Sequence, residues 1–311
     1  MVFPGQGSQS LGMQSSLASS FPEVAATYAE ASDILGFDLW EITQSGPQEE
    51  LDKTVVTQPA MLAAGVATWR CWQAAGGKTP AWLAGHSLGE YSALVAAEAI
   101  NFADAVRVVQ QRATLMQDAV PSEKSGMAAI LGLDDDAVIA ACSGAEEGQV
   151  VRAVNFNSPG QVVIAGDCDA VTRAVELAKA AGAKRAMMLR VSVPSHSPLM
   201  KPAAEALSGY LDATTFAIPT IGVISNVDVQ PYVEPQQIRA GLYRQVFNPV
   251  QWTKTIRRFI DEGVDTVIEC GPGKVLAGLT RRIDRSINCV AIEDPEALQK
   301  ALETSRSSTS T

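Results

Sequence analysis

The sequence predicts an α/β fold: a large unit with a mostly parallel sheet, and a smaller unit inserted into it. Three observations carry the prediction. Short apolar runs of strand length alternate with longer helical runs at both ends of the chain. One strand candidate, Ala81 to Ala84, runs directly into Gly85-His86-Ser87-Leu88-Gly89 and then a helical stretch through Ala97. The middle changes rhythm to strand, helix, strand, strand, helix, strand, the βαββαβ order of a ferredoxin-like unit.

The individual elements follow from local signals. Val2-Phe3 reads as the end of a strand entering a glycine turn. Phe21-Pro22-Glu23 puts proline in a first helical turn, and the apolar pattern continues to Leu35 before Gly36 stops it. A second helix is expected from near Pro59 to Gln73, and a third from Asn101 to Ala119. In the middle, strands are expected at Met127–Leu131, Val150–Asn155, Gln161–Ala165 and Arg185–Val193, with helices at Asp135–Cys142 and Asp169–Ala181. Alternation then resumes: a helix from Pro198, a strand near Ile221–Ser225, helices around Pro235–Phe247 and Val250–Glu262, and a strand at Thr266–Glu269. The expected domains are therefore 1–122 with 193–311 for the large unit and 123–192 for the insert, with a frayed tail from Glu303.

Composition narrows the function. The 311 residues carry 24 Lys and Arg against 34 Asp and Glu, a net charge of −10 that disfavours wrapping a nucleic acid. A hydrophobic fraction of 47% with 19% charged residues excludes a disordered chain. The first residues show no secretory signal pattern, and the apolar runs are shorter than the ~20 residues a bilayer requires, so a cytoplasmic protein without membrane contact is expected. Five scattered cysteines without a CxxC pair read as reduced thiols, and two histidines without ligand spacing argue against a metal.

Gly85-His86-Ser87-Leu88-Gly89 fits G-x-S-x-G between a strand and a helix, the setting in which a sharp turn lifts a serine hydroxyl above a sheet edge. That elbow makes the large unit α/β-hydrolase-like. A serine nucleophile needs a base, and only His86 and His196 are available. His86 adjoins the serine and should point elsewhere; His196 follows Val193-Pro194-Ser195, where the chain leaves the insert and overlooks a cleft. On the Asn101–Ala119 helix, Arg112 falls within the apolar stripe of Ala105, Val108, Val109 and Met116, opposite a polar face of Asp104, Arg107, Gln111, Thr114 and Asp118. A guanidinium there must either snorkel out to solvent or find an anion, a fixed internal carboxylate or one on a substrate. Gly5-Gln6-Gly7 and Gly271-Pro272-Gly273-Lys274 fail the dinucleotide and P-loop patterns, with Ser10, Ile268 and Val275 at the discriminating positions. An esterase-type hydrolase shares the elbow, and a catalytically idle binding module remains open as well.

Seven segments taken together resemble a known family. They are Phe3-Pro4-Gly5-Gln6-Gly7-Ser8-Gln9, Gly85-His86-Ser87-Leu88-Gly89-Glu90-Tyr91-Ser92, Gln111-Arg112, Asn155-Phe156-Asn157-Ser158-Pro159-Gly160-Gln161, Val193-Pro194-Ser195-His196, Asn248-Pro249-Val250-Gln251-Trp252 and Glu269-Cys270-Gly271-Pro272-Gly273. In that order they are similar to the stand-alone malonyl-CoA:acyl-carrier-protein transacylases of bacterial type II fatty-acid synthesis. The resemblance implies a ping-pong malonyl transfer through Ser87 to the phosphopantetheine thiol of acyl carrier protein, without a cofactor and by a monomer. It implies His196 as base, the Gln245 backbone carbonyl as its orienter, the Gln6 and Leu88 amides as oxyanion hole, Arg112 as clamp for the malonyl carboxylate, and Met116 and Asn157 lining the acyl pocket. Because acyl carrier protein is acidic, Lys184, Arg185, Arg281 and Arg282 are the expected dock, with an ordinary solvated face as the alternative.

Overall fold

The computed structural model describes residues 1–189 and 193–307. In chain order its strands are β1 (Val2–Phe3), β2 (Trp82–Gly85), β3 (Ser125–Leu131), β4 (Val151–Ser158), β5 (Gln161–Asp167), β6 (Arg185–Met188), β7 (Gly222–Ile224), β8 (Thr266–Cys270) and β9 (Asn288–Ile292). They form a five-stranded sheet in the order β7-β2-β1-β8-β9 and a four-stranded sheet in the order β4-β5-β3-β6. All neighbours in the first are parallel. All in the second are antiparallel.

The large sheet dictates where chemistry can occur. From β1 the chain crosses to β2 on one side and eventually returns through β8 on the other. This reversal opens a crevice beyond the carboxyl ends of β1, β2 and β8, where open α/β sheets hold their ligands. The loops leaving those ends are Pro4–Gly7, His86–Leu88 and Gly271–Gly273. Beneath them, the Thr54–Ala74 helix is buried along most of its length and packs against the Gly89–Ala96 and Phe102–Asp118 helices. Close approach requires small residues here: a Cβ on Gly65 would lie 2.9 Å from Ser92 Oγ.

The small unit has the predicted βαββαβ order, its Asp135–Ala145 and Cys168–Ala180 helices covering one face over Ala128, Ile130, Val151, Val162 and Ile164. It is sewn to the large unit rather than tethered by two crossings alone. Phe156 N donates to Val250 O at 3.0 Å and Val250 N to Val154 O at 2.9 Å, so the Val250 segment forms a short parallel bridge with β4. Thr253 Oγ1 adds a hydrogen bond to Phe156 O at 3.0 Å.

Some boundaries differ from expectation. The second helix starts at Thr54, with Pro59 inside it. Interior proline is worth roughly 3 kcal/mol against a helix, but Ala60, Met61, Leu62, Ala63 and Ala64 are completely buried immediately after it, and that burial offsets the lost bond. The tail from Glu303 is not frayed through its first residues, because the Pro295–Ser307 helix buries Leu298, Ala301 and Leu302 against the main core. Of the Arg185–Val193 strand, β6 spans Arg185–Met188, and 190–192 lie outside the described residues. The five cysteines are free thiols. No helix among the described residues is long and apolar enough to cross a membrane.

Candidate active site

At the end of β2 the backbone turns sharply, and Ser87 adopts a left-handed conformation with φ of 51°. Non-glycine residues are strained there, and the surrounding structure holds the strain. A Cβ on Gly85 would fall 1.8 Å from Gly89 C, and one on Gly89 would fall 2.1 Å from Phe3 O, so neither position admits a side chain. Asn226, just after β7, clamps the turn: its Oδ1 accepts from Ser87 N at 2.7 Å and its Nδ2 donates to Gly85 O at 2.6 Å. With Ser87 N so occupied, the Leu88 and Gln6 amides are left without an acceptor among the described residues.

His196 reaches the serine from the opposite lip. Its Nε2 lies 2.7 Å from Ser87 Oγ. Its Nδ1 lies 2.6 Å from the Gln245 carbonyl oxygen, which can only accept, so Nδ1 carries the proton and Nε2 is left as a base facing the hydroxyl. Burial and, next, the Arg112 guanidinium lower its pKa to about 3. The imidazole is therefore neutral over the whole physiological range. His86 does turn away from the serine: its Nε2 lies 2.8 Å from Asn157 Oδ1, and its ring packs on Trp252 at 5.5 Å between centroids.

Arg112 is 2% exposed. Its Nη1 donates to Gln58 Oε1 at 2.5 Å, and its Nη2 to Gln245 Oε1 at 2.9 Å and to Ser87 Oγ at 3.3 Å. The Nε is buried without a partner. Among the described residues no carboxylate lies within ion-pair distance of it, so neutral amide oxygens hold a full positive charge beside the nucleophile.

A cleft of about 400 Å³ opens above Ser87 and His196. Its walls come from both units: Gln6, Gln9 and Leu279 on one side, Asn155, Asn157 and Gln161 on the other. The arrangement can deprotonate a hydroxyl, hold an oxyanion and attract a carboxylate, the requirements of acyl transfer from a charged acyl donor.

The family model described as Acyl transferase domain matches residues 1–293. The chain belongs to the acyl transferase family. It is 58% identical over 301 residues to the malonyl CoA-acyl carrier protein transacylase of Salmonella typhimurium, covering 97% of both chains. To the Escherichia coli protein of the same name it is 57% identical over 302 residues, covering 97% of this chain and 98% of that one. Among solved structures, it matches a malonyl-transacylase in complex with a type II PKS acyl-carrier protein at a TM-score of 0.97, with 54% identity and 98% of each chain covered. An acyl carrier protein S-malonyltransferase from Vibrio cholerae matches at a TM-score of 0.94, with 54% identity over 96% of this chain and 98% of that one.

In this acyl transferase the structure gathers Ser87, His196, Gln245 and Arg112 within direct hydrogen-bonding distance of one another. Gln6 and Asn157 line the cleft. The Met116 sulfur lies 3.7 Å from Nε2 of Gln58, the amide whose oxygen holds Arg112, and like Arg112 it is not among the residues lining the cleft. The four basic residues are exposed, and Arg282 Nη1 donates to Gln161 Oε1 on the rim.

Sequence reasoning missed four residues that build this acyl transferase site: Gln58, Glu90, Asn226 and Tyr232. Glu90 carried the strongest available signal, a charge directly before the largely apolar run Tyr91 to Ala97. It is 0% exposed and accepts from Tyr232 Oη at 2.6 Å, Gln245 Nε2 at 2.6 Å and Asn226 N at 3.4 Å. Burial pushes its carboxyl up to about 7, opposed by those donors and by Arg112.

Proposed function

We propose that this acyl transferase moves malonyl from malonyl-CoA to the phosphopantetheine thiol of acyl carrier protein, through a malonyl ester on Ser87. His196 Nε2 takes the Ser87 proton as Oγ attacks the thioester carbonyl. The tetrahedral oxyanion is held by the Gln6 and Leu88 amides. The C–S bond then breaks, and His196 returns the proton to the departing coenzyme A thiolate. In the second half, the carrier thiol gives its proton to His196, attacks the ester carbonyl, and Ser87 recovers its proton as the C–O bond breaks. No external cofactor enters this scheme, and we place the reaction in the cytoplasm, in keeping with the free cysteines.

The observation that carries the reading is the buried guanidinium of Arg112, 3.3 Å from the nucleophile and held only by neutral or hydroxyl oxygens. A hydrolase acting on neutral esters has no use for it. The carrier dock is proposed at Lys184, Arg185, Arg281 and Arg282. β-Pairing supports this: Arg185 is opposite Leu131, Leu131 is opposite Gln161, and Gln161 holds Arg282, so these groups share one end of the small sheet at the cleft rim. We place the large unit at 1–122 with 193–311 and the inserted unit at 123–192.

The test is intact-mass detection of the acyl enzyme. Incubation with malonyl-CoA should leave one malonyl group, absent in Ser87→Ala and discharged by pantetheine thiols. Release as free malonate without a thiol would favour hydrolysis and overturn the proposal.

A further inference from the structure

Gln245 contributes twice to the site. Its backbone carbonyl fixes His196, while its side-chain amide sits between groups of opposite demand. The Nε2 donates to Ser87 O at 2.9 Å and to Glu90 Oε2 at 2.6 Å, and the Oε1 accepts from Arg112 Nη2 at 2.9 Å. Turned over, the amide would set NH2 against the guanidinium donors and oxygen against a carboxylate and a carbonyl. Only one orientation satisfies all partners.

Glu90 enforces that orientation because its carboxyl oxygens face only donors, Gln245 Nε2 on Oε2 among them, so the amide must present its NH2 on that side. The other carboxyl oxygen, Oε1, is occupied by Tyr232 Oη at 2.6 Å. Room for that phenol is built into the fold: a Cβ at Gly241 would lie 2.2 Å from Tyr232 Oη. The residues thus form a chain, Tyr232 to Glu90 to the Gln245 amide to Arg112, ending at the group proposed to receive the malonyl carboxylate.

We infer that Glu90, seated by Tyr232, is a positioning residue for acyl selection: it orients the Gln245 amide so that its oxygen holds Arg112 in place for a dicarboxylic acyl group. This rests on the reading of the site as a malonyl transferase. The Glu90 side chain touches neither nucleophile nor base, and its effect should be largest on acyl groups that carry a carboxylate.

The decisive variants are Glu90→Gln, Tyr232→Phe and the double variant, each assayed for acylation by malonyl-CoA and by acetyl-CoA and for thermal unfolding. In Glu90→Gln, Tyr232 still donates to one side-chain atom, which must be the amide oxygen. The new NH2 then faces the Gln245 NH2, a mismatch of two donors. The malonyl-to-acetyl acylation ratio should fall about tenfold or more, as loss of one charge-assisted hydrogen bond at Arg112 predicts. Tyr232→Phe alone should change the ratio less than about threefold, since Gln245 keeps its carboxylate acceptor. In the double variant only the longer Asn226 N contact at 3.4 Å still opposes turning the new amide's oxygen toward Gln245, so the ratio and the unfolding temperature should both recover in part relative to Glu90→Gln. A merely structural Glu90 predicts the reverse, because the second loss would add to the first. If Glu90→Gln fails to fold, the double variant should fold; a double variant no better than the single one on either measurement overturns the assignment. An unchanged ratio in folded Glu90→Gln overturns it as well. Absence of malonylation in the wild-type chain would instead refute the proposed function, so the two failures are distinguishable.

Discussion

Replacing Arg112 by alanine should convert a malonyl-selective enzyme into one that no longer favours the charged acyl group. The guanidinium is 2% exposed and contacts no carboxylate directly, Glu90 standing behind the Gln245 amide, so a substrate carboxylate would meet a desolvated charge. Two parallel charge-assisted hydrogen bonds, each about 1.5–3 kcal/mol, sum to about 3–6 kcal/mol, or roughly 10² to 10⁴ in kcat/KM for malonyl-CoA. Acetyl-CoA offers no carboxylate, and its acylation rate should stay within about tenfold of the parent or rise. Arg112→Lys should fall between, because an ammonium keeps the charge but not the planar fork. The assay is the initial rate of acyl-enzyme formation with each thioester, with unfolding temperatures measured alongside, since Gln58 and Gln245 lose their donor. Equal losses on both thioesters would show that Arg112 serves the fold or the nucleophile, not selection, and would refute the reasoning.

Three further outcomes follow. Because burial and Arg112 lower the His196 pKa to about 3, acylation by acetyl-CoA should not fall near the ordinary imidazole value of about 6.5 as pH drops from about 8 to about 5; a break there would contradict the buried base. Charge reversal at Lys184, Arg185, Arg281 and Arg282 should slow transfer to acyl carrier protein and flatten its salt dependence, while transfer to free pantetheine is unchanged. Burial pushes the Glu269 carboxyl up to about 7, although it accepts from Leu276 N and Ala277 N. The native state therefore binds a proton that the unfolded chain has released, and this stability is lost as pH rises from about 4.5 through 7. Urea midpoints for Glu269→Gln should accordingly decline less between about pH 5 and about pH 8 than those of the parent.

Much of this arrangement is legible in local sequence. The G-x-S-x-G elbow reports part of its own geometry, because Gly85 is required by the contact with Gly89 C inside the turn, whereas Gly89 is required by Phe3 O of the neighbouring strand β1. Arg112 is legible from helical periodicity alone, although periodicity cannot say whether its anion is internal. Asn226 and Tyr232 were not legible: each lies more than a hundred residues from Ser87 and Glu90, the groups they hold, and only the parallel pairing of β2 with β7 brings them close. Gln58 is hidden by its surroundings, an amide in a buried apolar helix whose proline suggested a later start.

The two-way backbone bridge between Val250 and β4 limits how this protein could be re-engineered. A modular exchange that cut only at the two chain crossings would strip the Val250 segment of its β partner and leave a bare strand edge beside the catalytic groove. A chimera intended to accept a bulkier extender should therefore transplant the insert together with the loop and helix from Asn248 to Asp261, as a single inheritable block.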